Sequence, residues 1–349
     1  MLRATQIAIP TLVRVKEDAL DRVGMYLDRA PLRGAIVFHS QGLLGELQER
    51  LRRGLRESEI AVHGWHELAD NALEVAARHF EDLPKRAAVV VGLGGGKALD
   101  VAKYVAFLAR LPYYAVPTSL SNDGFCSPQA SLTIHGKRRS VPAAMPTGVV
   151  VDTAVCRQAP RSLTLSGAGD LVAKLTAVRD WKLAFHATGE PVNDFAALLS
   201  DGALHAYRSH PDFDAEGIRL LATGLMLNGI AMEIAGSSRP ASGSEHLISH
   251  ALDGLSARPR LHGLQVGVAA YLVSRLQEQN THIIDEIFQR TGFWDEVARD
   301  PFDREEWSRA LRQAPEIKEH FHTVLSQPEK QALAEDFLWN DTRLGNCLR

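Results

Sequence analysis

The first half of the chain alternates short apolar runs with longer amphipathic ones. Residues 35–38 (AIVF) predict a strand, and residues 42–54 follow with a helical pattern that puts Leu43, Leu44, Leu47 and Leu51 on one side. Residues 60–62 predict a second strand and 68–80 a second helix. Residues 88–91 (AVVV) are β-branched, few and closed by glycine, the pattern of a parallel strand buried on both faces. Residues 113–116 add a fourth strand. Strands separated by helices of this length make βαβ units, and hence a mostly parallel sheet. Residues 131–134 alternate, Gly136 and Lys137 turn, and Arg138 and Arg139 lead out of a hairpin. Residues 149–151, ending at Asp152, predict one more strand.

From about Ala154 the period becomes helical and stays so. Residues 170–185 predict one helix, with Ser166 and Gly167 as its turn and cap. That places Asp170 in the first turn, where the helix dipole favours a carboxylate. Residues 217–235 predict a long helix of small residues. From Thr281 onward the pattern predicts three amphipathic helices carrying Trp294, Trp307 and Trp339 into the core. We therefore expect an α/β domain over residues 1–153, with a mostly parallel, Rossmann-like sheet, and an all-α domain over residues 154–349.

Composition supports two domains, because 349 residues with 45% hydrophobic content exceed the size at which one core usually splits. The net charge of -3, with arginines scattered among acids, gives no case for a nucleic acid or a membrane surface as partner. Cys126, Cys156 and Cys347 have no paired spacing, which fits a reducing compartment and predicts a cytoplasmic protein. The N-terminal apolar patch is too short and interrupted for a signal peptide. No uninterrupted apolar run approaches membrane-spanning length.

Candidate chemistry gathers in two places. Gly92, Gly94, Gly95 and Gly96 follow the third predicted strand and precede a helix, where backbone amides and the helix dipole suit a pyrophosphate. The turn is neither GxGxxG nor a Walker A loop, and a packing turn is the plain alternative. The loop after the fourth strand, at the carboxyl end of the sheet, holds Thr118, Ser119, Ser121, Asn122 and Asp123. The second place is the stretch 237–265. His246 and His250 are four apart and share a helix face, and His262 opens the next helix. Asp170, His246 and His262 offer one carboxylate and two imidazoles, a mixed oxygen and nitrogen set suited to zinc, with a fourth position open. Iron, manganese or nickel could use the same ligands, and capping or carboxylate pairing is the alternative role. Arg239, among Ser237, Ser238, Ser242 and Ser244, offers an anion a guanidinium and hydroxyls, or else bridges helices. Lys174, Arg179 and Lys182 read as partly solvated helix charges.

Long motifs run through these places: GGGKALDVAK at 94–103, PTSLSNDGFCSPQASL at 117–132, SGAGDLVAKLTAVRDWKLA at 166–184, GSSRPASGSEHLISHALD at 236–253 and LHGLQVG at 261–267. On them the sequence resembles the sn-glycerol-1-phosphate dehydrogenase family, within the superfamily of dehydroquinate synthases and iron-type, metal-dependent alcohol dehydrogenases. The resemblance implies a dehydroquinate synthase-like fold with the active site in a cleft, binding NAD or NADP and one divalent metal, zinc being the usual ion. Motif match puts the metal on Asp170, His246 and His262, with His250 an active-site neighbour that does not ligate it. Gly94, Gly95 and Gly96 hold the cofactor pyrophosphate, with Lys97 and Asp100 beside them. Thr118, Ser119, Leu120, Ser121 and Ser127 approach the cofactor from the next loop, and Asp123 faces the substrate.

The reaction so implied is reduction of dihydroxyacetone phosphate to sn-glycerol 1-phosphate. The rivals are a dehydroquinate-synthase-like cyclase, a dehydrogenase for another small phosphorylated ketone or polyol, and a non-catalytic binding protein on the same scaffold. Homo-oligomerisation is left open. Three departures stand out. Asn122 replaces a more usual histidine, and Leu264 replaces the acid of HGEQ beside His262. His39 and Ser40 stand where an acid often holds the adenine ribose, which leaves NAD against NADP open and removes an obstacle to a 2′-phosphate.

Overall fold

The computed structural model describes residues 7–256, 258 and 260–349. The chain divides into two compact units. One holds the residues up to Leu120 together with Gly124–Ala159, and the other holds Ser121–Asp123 together with Pro160–Arg349.

The first unit is built on strands β1 (Leu12–Lys16), β2 (Gly34–Ser40), β3 (Ala61–Leu68), β4 (Val89–Gly94), β5 (Tyr113–Pro117), β6 (Gln129–Ile134), β7 (Lys137–Pro142) and β8 (Gly148–Asp152). Its helices are α1 (Val23–Arg29), α2 (Gly45–Glu57), α3 (Leu73–Glu81), α4 (Gly96–Ala109) and α5 (Thr153–Gln158). Six strands form one sheet in the order β1-β8-β5-β4-β2-β3, every pair parallel, and β6 and β7 form a separate antiparallel hairpin. The interior strands β4, β5 and β8 are buried along their whole length, which is why they read as unbroken apolar runs rather than alternating ones. Val37, Val89, Val91 and Tyr114 pack on one face with Leu51 and Leu55 of α2. Ile36, Phe38, Val90 and Ala115 pack on the other with Ala98, Val101 and Val105 of α4.

Several elements differ from the sequence expectation. β1 (LVRVK) was not anticipated. It is an edge strand beside β8, so 35–38 lies in the second strand and the glycine turn follows the fourth. β3 runs to Leu68 through His63, Trp65 and His66, because edge pairing with β2 tolerates these side chains, and α3 starts at Leu73 rather than 68. β4 continues through Gly94, so Gly92 is a strand residue and Gly95 is the N-cap of α4. α2 opens at Gly45, after Gly42 turns the chain at φ 70°. The hairpin turns on His135 and Gly136, both at positive φ, rather than on Gly136 and Lys137; left-handed residues there match the twist of the strands.

The second unit is helical: α6 (Arg161–Val172), α7 (Lys174–Thr188), α8 (Asp194–Ser209), α9 (Ala215–Ala235), α10 (Ser244–Leu255), α11 (His262–Leu276), α12 (Thr281–Thr291), α13 (Phe293–Arg299), α14 (Arg304–Ile317), α15 (Pro328–Asn340) and α16 (Thr342–Gly345). The single helix expected over 170–185 is two, broken at Ala173. Ser166 and Gly167 therefore lie inside α6, and Asp170 sits in its last turn. Gly292, at φ 73°, splits the first of the three late amphipathic patterns into α12 and α13. Trp294 and Trp307 are buried as expected. Trp339 is half exposed, with the Arg304 guanidinium over its ring. α9 is long and apolar enough, by length and composition only, to cross a membrane, although Arg219 and Asn228 interrupt its apolar run. Here it packs on α6 and α8, with Leu221, Leu225 and Asn228 buried and Gly224 against Leu171.

Candidate active site

Glycines bring α6 and α11 together. A Cβ on Gly263 would lie 1.8 Å from the carbonyl oxygen of Ser166, and one on Gly169 would lie 2.1 Å from that of Gly263. Backbone thus meets backbone, and Asp170 near the end of α6 comes beside His262 at the start of α11. α10 supplies His246. One ligand atom each from Asp170, His246 and His262 lies within 4.8 Å of the others.

Asp170 is 1% exposed and stands at the C-terminal end of its helix, where the dipole opposes a carboxylate rather than favouring it. Burial opposes its charge as well. The Lys174 ammonium and His246 outweigh both and hold its carboxyl well below the usual range. Its Oδ1 lies 3.0 Å from Lys174 Nζ and 3.3 Å from His246 Nε2, and its Oδ2 accepts the Asp123 amide at 2.9 Å. Lys174, expected to be partly solvated, is fully buried. It also reaches the Asp123 carboxylate at 3.1 Å and donates to the Ala241 carbonyl at 3.0 Å. Burial and the neighbouring Asp170 push the Asp123 carboxyl up. Ser121, in the same short segment, accepts the Ser166 hydroxyl at its carbonyl, and the Asn122 amide lies 3.4 Å from Ser121 Oγ.

The tautomers of the two histidines follow from their partners. His246 Nδ1 faces the buried carboxylate of Glu245 at 2.9 Å, which can only accept. Glu245 is itself held by the Gly243 amide at 2.6 Å and the Thr176 hydroxyl at 2.8 Å. The Ser249 hydroxyl donates to Gln265 Oε1 at 2.9 Å, so at 3.0 Å its oxygen accepts from His262 Nδ1. In the neutral form both rings therefore carry their proton on Nδ1, which makes Nε2 the nitrogen with the lone pair a metal needs. This donor chemistry fits a divalent cation. The acid missing at Leu264 is not replaced in kind. Leu264 is buried, and the Ser249–Gln265 pair orients His262 instead. Burial lowers the pKa of His246, but the Asp170 and Glu245 carboxylates facing its two nitrogens favour the doubly protonated ring and raise it above its ordinary value; a cation on Nε2 would displace the second proton. His250, one turn on, has its ring centroid 6.4 Å from that of His246 and 5.8 Å from that of His262. Burial lowers its pKa.

Arg239 does not offer its charge to a ligand. It is 0% exposed, forms a bidentate pair with Glu190 at 2.9 and 2.5 Å, donates to the His322 carbonyl, and lies over Phe321. The helix-bridging alternative describes it.

In the first unit, Gly94 has φ 131°, and a Cβ there would lie 2.2 Å from Ser40 Oγ, so only glycine fits. Ser40 Oγ accepts the Gly95 amide at 2.9 Å, a contact no local pattern signalled. α4 has no side-chain cap, and space is open around Gly96, so the amides beginning the helix face an uncluttered surface suited to a phosphate. Lys97 is exposed there. Asp100 is mostly covered, 3.9 Å from Lys103, and burial raises its pKa to about 6. Thr118 donates its amide to the Gly94 carbonyl, and Ser119 is half-buried beside it. Ser127 is turned inward, its Oγ 3.0 Å from the Gln129 carbonyl and 3.3 Å from Lys103 Nζ. His39 is 5% exposed, set against Trp65, with Nδ1 facing the Ser40 carbonyl.

A family model for iron-containing alcohol dehydrogenase matches residues 14–160. A probable glycerol dehydrogenase from Sinorhizobium meliloti has the same fold, with a TM-score of 0.71 at 20% identity over 96% of this chain and 99% of that one. An iron-containing alcohol dehydrogenase from Thermotoga maritima superposes with a TM-score of 0.70 at 19% identity, over 97% and 99% of the two chains. The fold is thus that of the iron-type alcohol dehydrogenases. Sequence narrows this further. The chain is 37% identical to a glycerol-1-phosphate dehydrogenase (NAD(P)+) of Thermofilum pendens over 96% of each chain. It is 36% identical to the enzyme of that name from Aeropyrum pernix, over 92% of this chain and 93% of that one. The chain belongs to the glycerol-1-phosphate dehydrogenase family.

Proposed function

We infer that the protein is a metal-dependent, NAD(P)-linked oxidoreductase that interconverts dihydroxyacetone phosphate and sn-glycerol 1-phosphate. The observation that carries this reading is the trio of Asp170, His246 and His262, with Nδ1 of both imidazoles held by a partner, in a chain of this family. These three side chains would hold one divalent cation, zinc in this reading. When bound, the cation supplies a Lewis acid for the substrate oxygen and the nicotinamide gives or takes the hydride.

The protein's own groups do the rest. Glu245 and Ser249 fix the two imidazoles so that neither ring must reorient before it ligates. Lys174 ties Asp123 beside Asp170, keeping the Asp123 carboxylate on the substrate side. His250, outside the trio but on the same helix face as His246, is the group we assign to hand the substrate hydroxyl its proton or remove it. The open start of α4, with Gly94, Gly95 and Gly96, would take the cofactor pyrophosphate, flanked by Lys97, and Thr118, Ser119 and Ser121 the nicotinamide side. Because His39 is buried and no acid follows it, NADPH is accepted alongside NADH. A cytoplasmic location agrees with Cys126, Cys156 and Cys347 being free and buried.

The test is to incubate metal-loaded protein and NAD(P)H with dihydroxyacetone phosphate, dihydroxyacetone, glyceraldehyde 3-phosphate and larger ketose phosphates. Cofactor oxidation and product stereochemistry are followed together, with metal content measured in parallel. Wild type should carry one metal per chain and oxidise the cofactor fastest with dihydroxyacetone phosphate. His246→Ala and His262→Ala should lose the metal with circular dichroism unchanged. Faster turnover of a larger ketone would remove the named substrate. Phosphate release without cofactor oxidation would instead support a synthase-like enzyme.

A further inference from the structure

Three cations surround the start of α10, and two of them are satisfied by carboxylates. Lys174 lies between Asp170 and Asp123, and Arg239 is paired with Glu190. The third is Lys318, at the C-terminal cap of α14. Its Nζ lies 3.1 Å from the Ser238 hydroxyl and 4.5 Å from the centre of the Phe321 ring. Among the described residues no carboxylate lies within ion-pair distance of it.

The packing of α14 places this ammonium beside the candidate active site. A cavity of about 190 Å³ is lined by Leu252 and Ser256 at the end of α10 and by Glu306 and Trp307 at the start of α14. The two helices therefore run antiparallel, and the end of α14 lies against the start of α10, where His246 and His250 project. The charge of Lys318 acts on His250 and lowers its pKa. Burial and the Arg239 guanidinium in turn lower that of Lys318. A half-buried ammonium beside a guanidinium, offset only by the Glu245 carboxylate from beyond ion-pair distance, is a cost to the fold that a ligand anion would relieve. The same turn holds a second unfilled group: Ser242 is 5% exposed, and its hydroxyl has no hydrogen-bond partner. Ser238 and Ser242 bracket one turn, closed by the Ala241 amide donating to the Ser238 carbonyl at 2.9 Å.

We propose that Lys318, with the hydroxyls of Ser238 and Ser242, seats the phosphate of the substrate, a phosphate monoester of a small ketone or polyol. The proposal rests on the activity inferred above and adds the residue that separates phosphorylated from unphosphorylated substrates. An ammonium with two hydroxyls offers charge-assisted donors to a dianion and nothing comparable to a neutral hydroxymethyl group. Arg239, one of the candidates the sequence offers for this task, is instead engaged by Glu190.

The test compares wild type with Lys318→Met and Lys318→Arg. Binding of inorganic phosphate is measured by calorimetry, and kcat/KM for dihydroxyacetone phosphate and dihydroxyacetone is measured alongside. Lys318→Met should lose roughly 10- to 100-fold in phosphate affinity and in kcat/KM for the phosphorylated ketone, with a much smaller change for dihydroxyacetone, which feels only the altered charge near His250. Lys318→Arg should restore most of the loss. Metal content and NADPH affinity should not change. The melting temperature of Lys318→Met should hold or rise, because an unpaired charge leaves the interior, whereas a structural lysine would lower it. If wild type binds phosphate and Lys318→Met binds it equally well, the seat is elsewhere. The seat also falls if the variant melts earlier and loses both ketones in parallel, or if wild type binds no phosphate at all. Should wild type bind phosphate through Lys318 yet fail to reduce dihydroxyacetone phosphate, the seat stands and the inferred reaction falls.

Discussion

Replacing Gly263 with alanine tests whether backbone contact between α6 and α11 assembles the site. The new Cβ would lie 1.8 Å from the Ser166 carbonyl oxygen and 2.5 Å from its carbon, both backbone atoms that no rotamer change can remove. The helices would have to part by more than about 1 Å, at an overpacking cost of about 3 kcal/mol, the upper end of the usual range. For a helical unit of this size the melting temperature should fall by roughly 5–10 °C. His262 immediately precedes Gly263, so the same displacement exceeds the ~0.5 Å within which a ligand constellation must be held. Metal affinity should fall by about tenfold or more. Gly254→Ala is the control, since nothing lies within 4 Å of its Cβ, and helix propensity alone should stabilise it by about 0.5 kcal/mol. Differential scanning fluorimetry with and without metal, and chelator competition, read both effects. A Gly263→Ala protein that melts with wild type and retains its metal would refute the close approach and its role.

Two further outcomes follow from the buried charges. Arg239→Met should destabilise the protein by about 3–5 kcal/mol in denaturant unfolding, since Glu190 and the His322 carbonyl lose their partner, while the KM for a phosphorylated substrate in the folded protein changes little. Burial, reinforced by Glu245, raises the Asp180 pKa to about 6. Its contribution to stability is full below about pH 4 and is lost as pH rises through about 6. Asp180→Asn should flatten that part of the stability profile. It should also lower stability overall, because an amide cannot accept from the Ser244 and Val324 amides and Gln277 as the two carboxylate oxygens do. An unchanged slope between pH 4 and 6 would show that Asp180 is not the titrating group.

The strands β4, β5 and β8 were legible because burial on both faces leaves an unbroken apolar run. β1 and the outer part of β3 were not, since edge strands carry Arg14, His63 and His66, and their identity comes from a neighbour distant in sequence. The break at Ala173 carries neither proline nor glycine, so residues 170–185 read as one helix with Asp170 in its favourable first turn. Residue types and helix starts suggest Asp170, His246 and His262 as a candidate set with a capping alternative, and motif resemblance selects it, leaving His250 outside. Lys174 reads from the sequence as partly solvated and is buried, while Arg239 reads as either ligand-facing or helix-bridging and is the latter. Which carboxylate neutralises a buried cation depends on contacts across elements, such as Glu190 with Arg239 and Asp123 with Lys174, and no local pattern encodes them.

The three residues Ser121–Asp123 belong to the helical unit although their flanks on both sides belong to the sheet unit. The chain therefore crosses between the units three times, at 120/121, 123/124 and 159/160, and no single cut yields two complete modules. A fragment beginning at Pro160 would keep Lys174 and Asp170 but lack the Asp123 carboxylate and amide that engage them. A fragment ending at Ala159 would carry Asp123 with nothing to hold it. Fusion, domain exchange or split-protein designs that treat the boundary as a hinge between independent halves would thus sever a charge cluster. Recombination in evolution faces the same constraint, so the two units are expected to be inherited together.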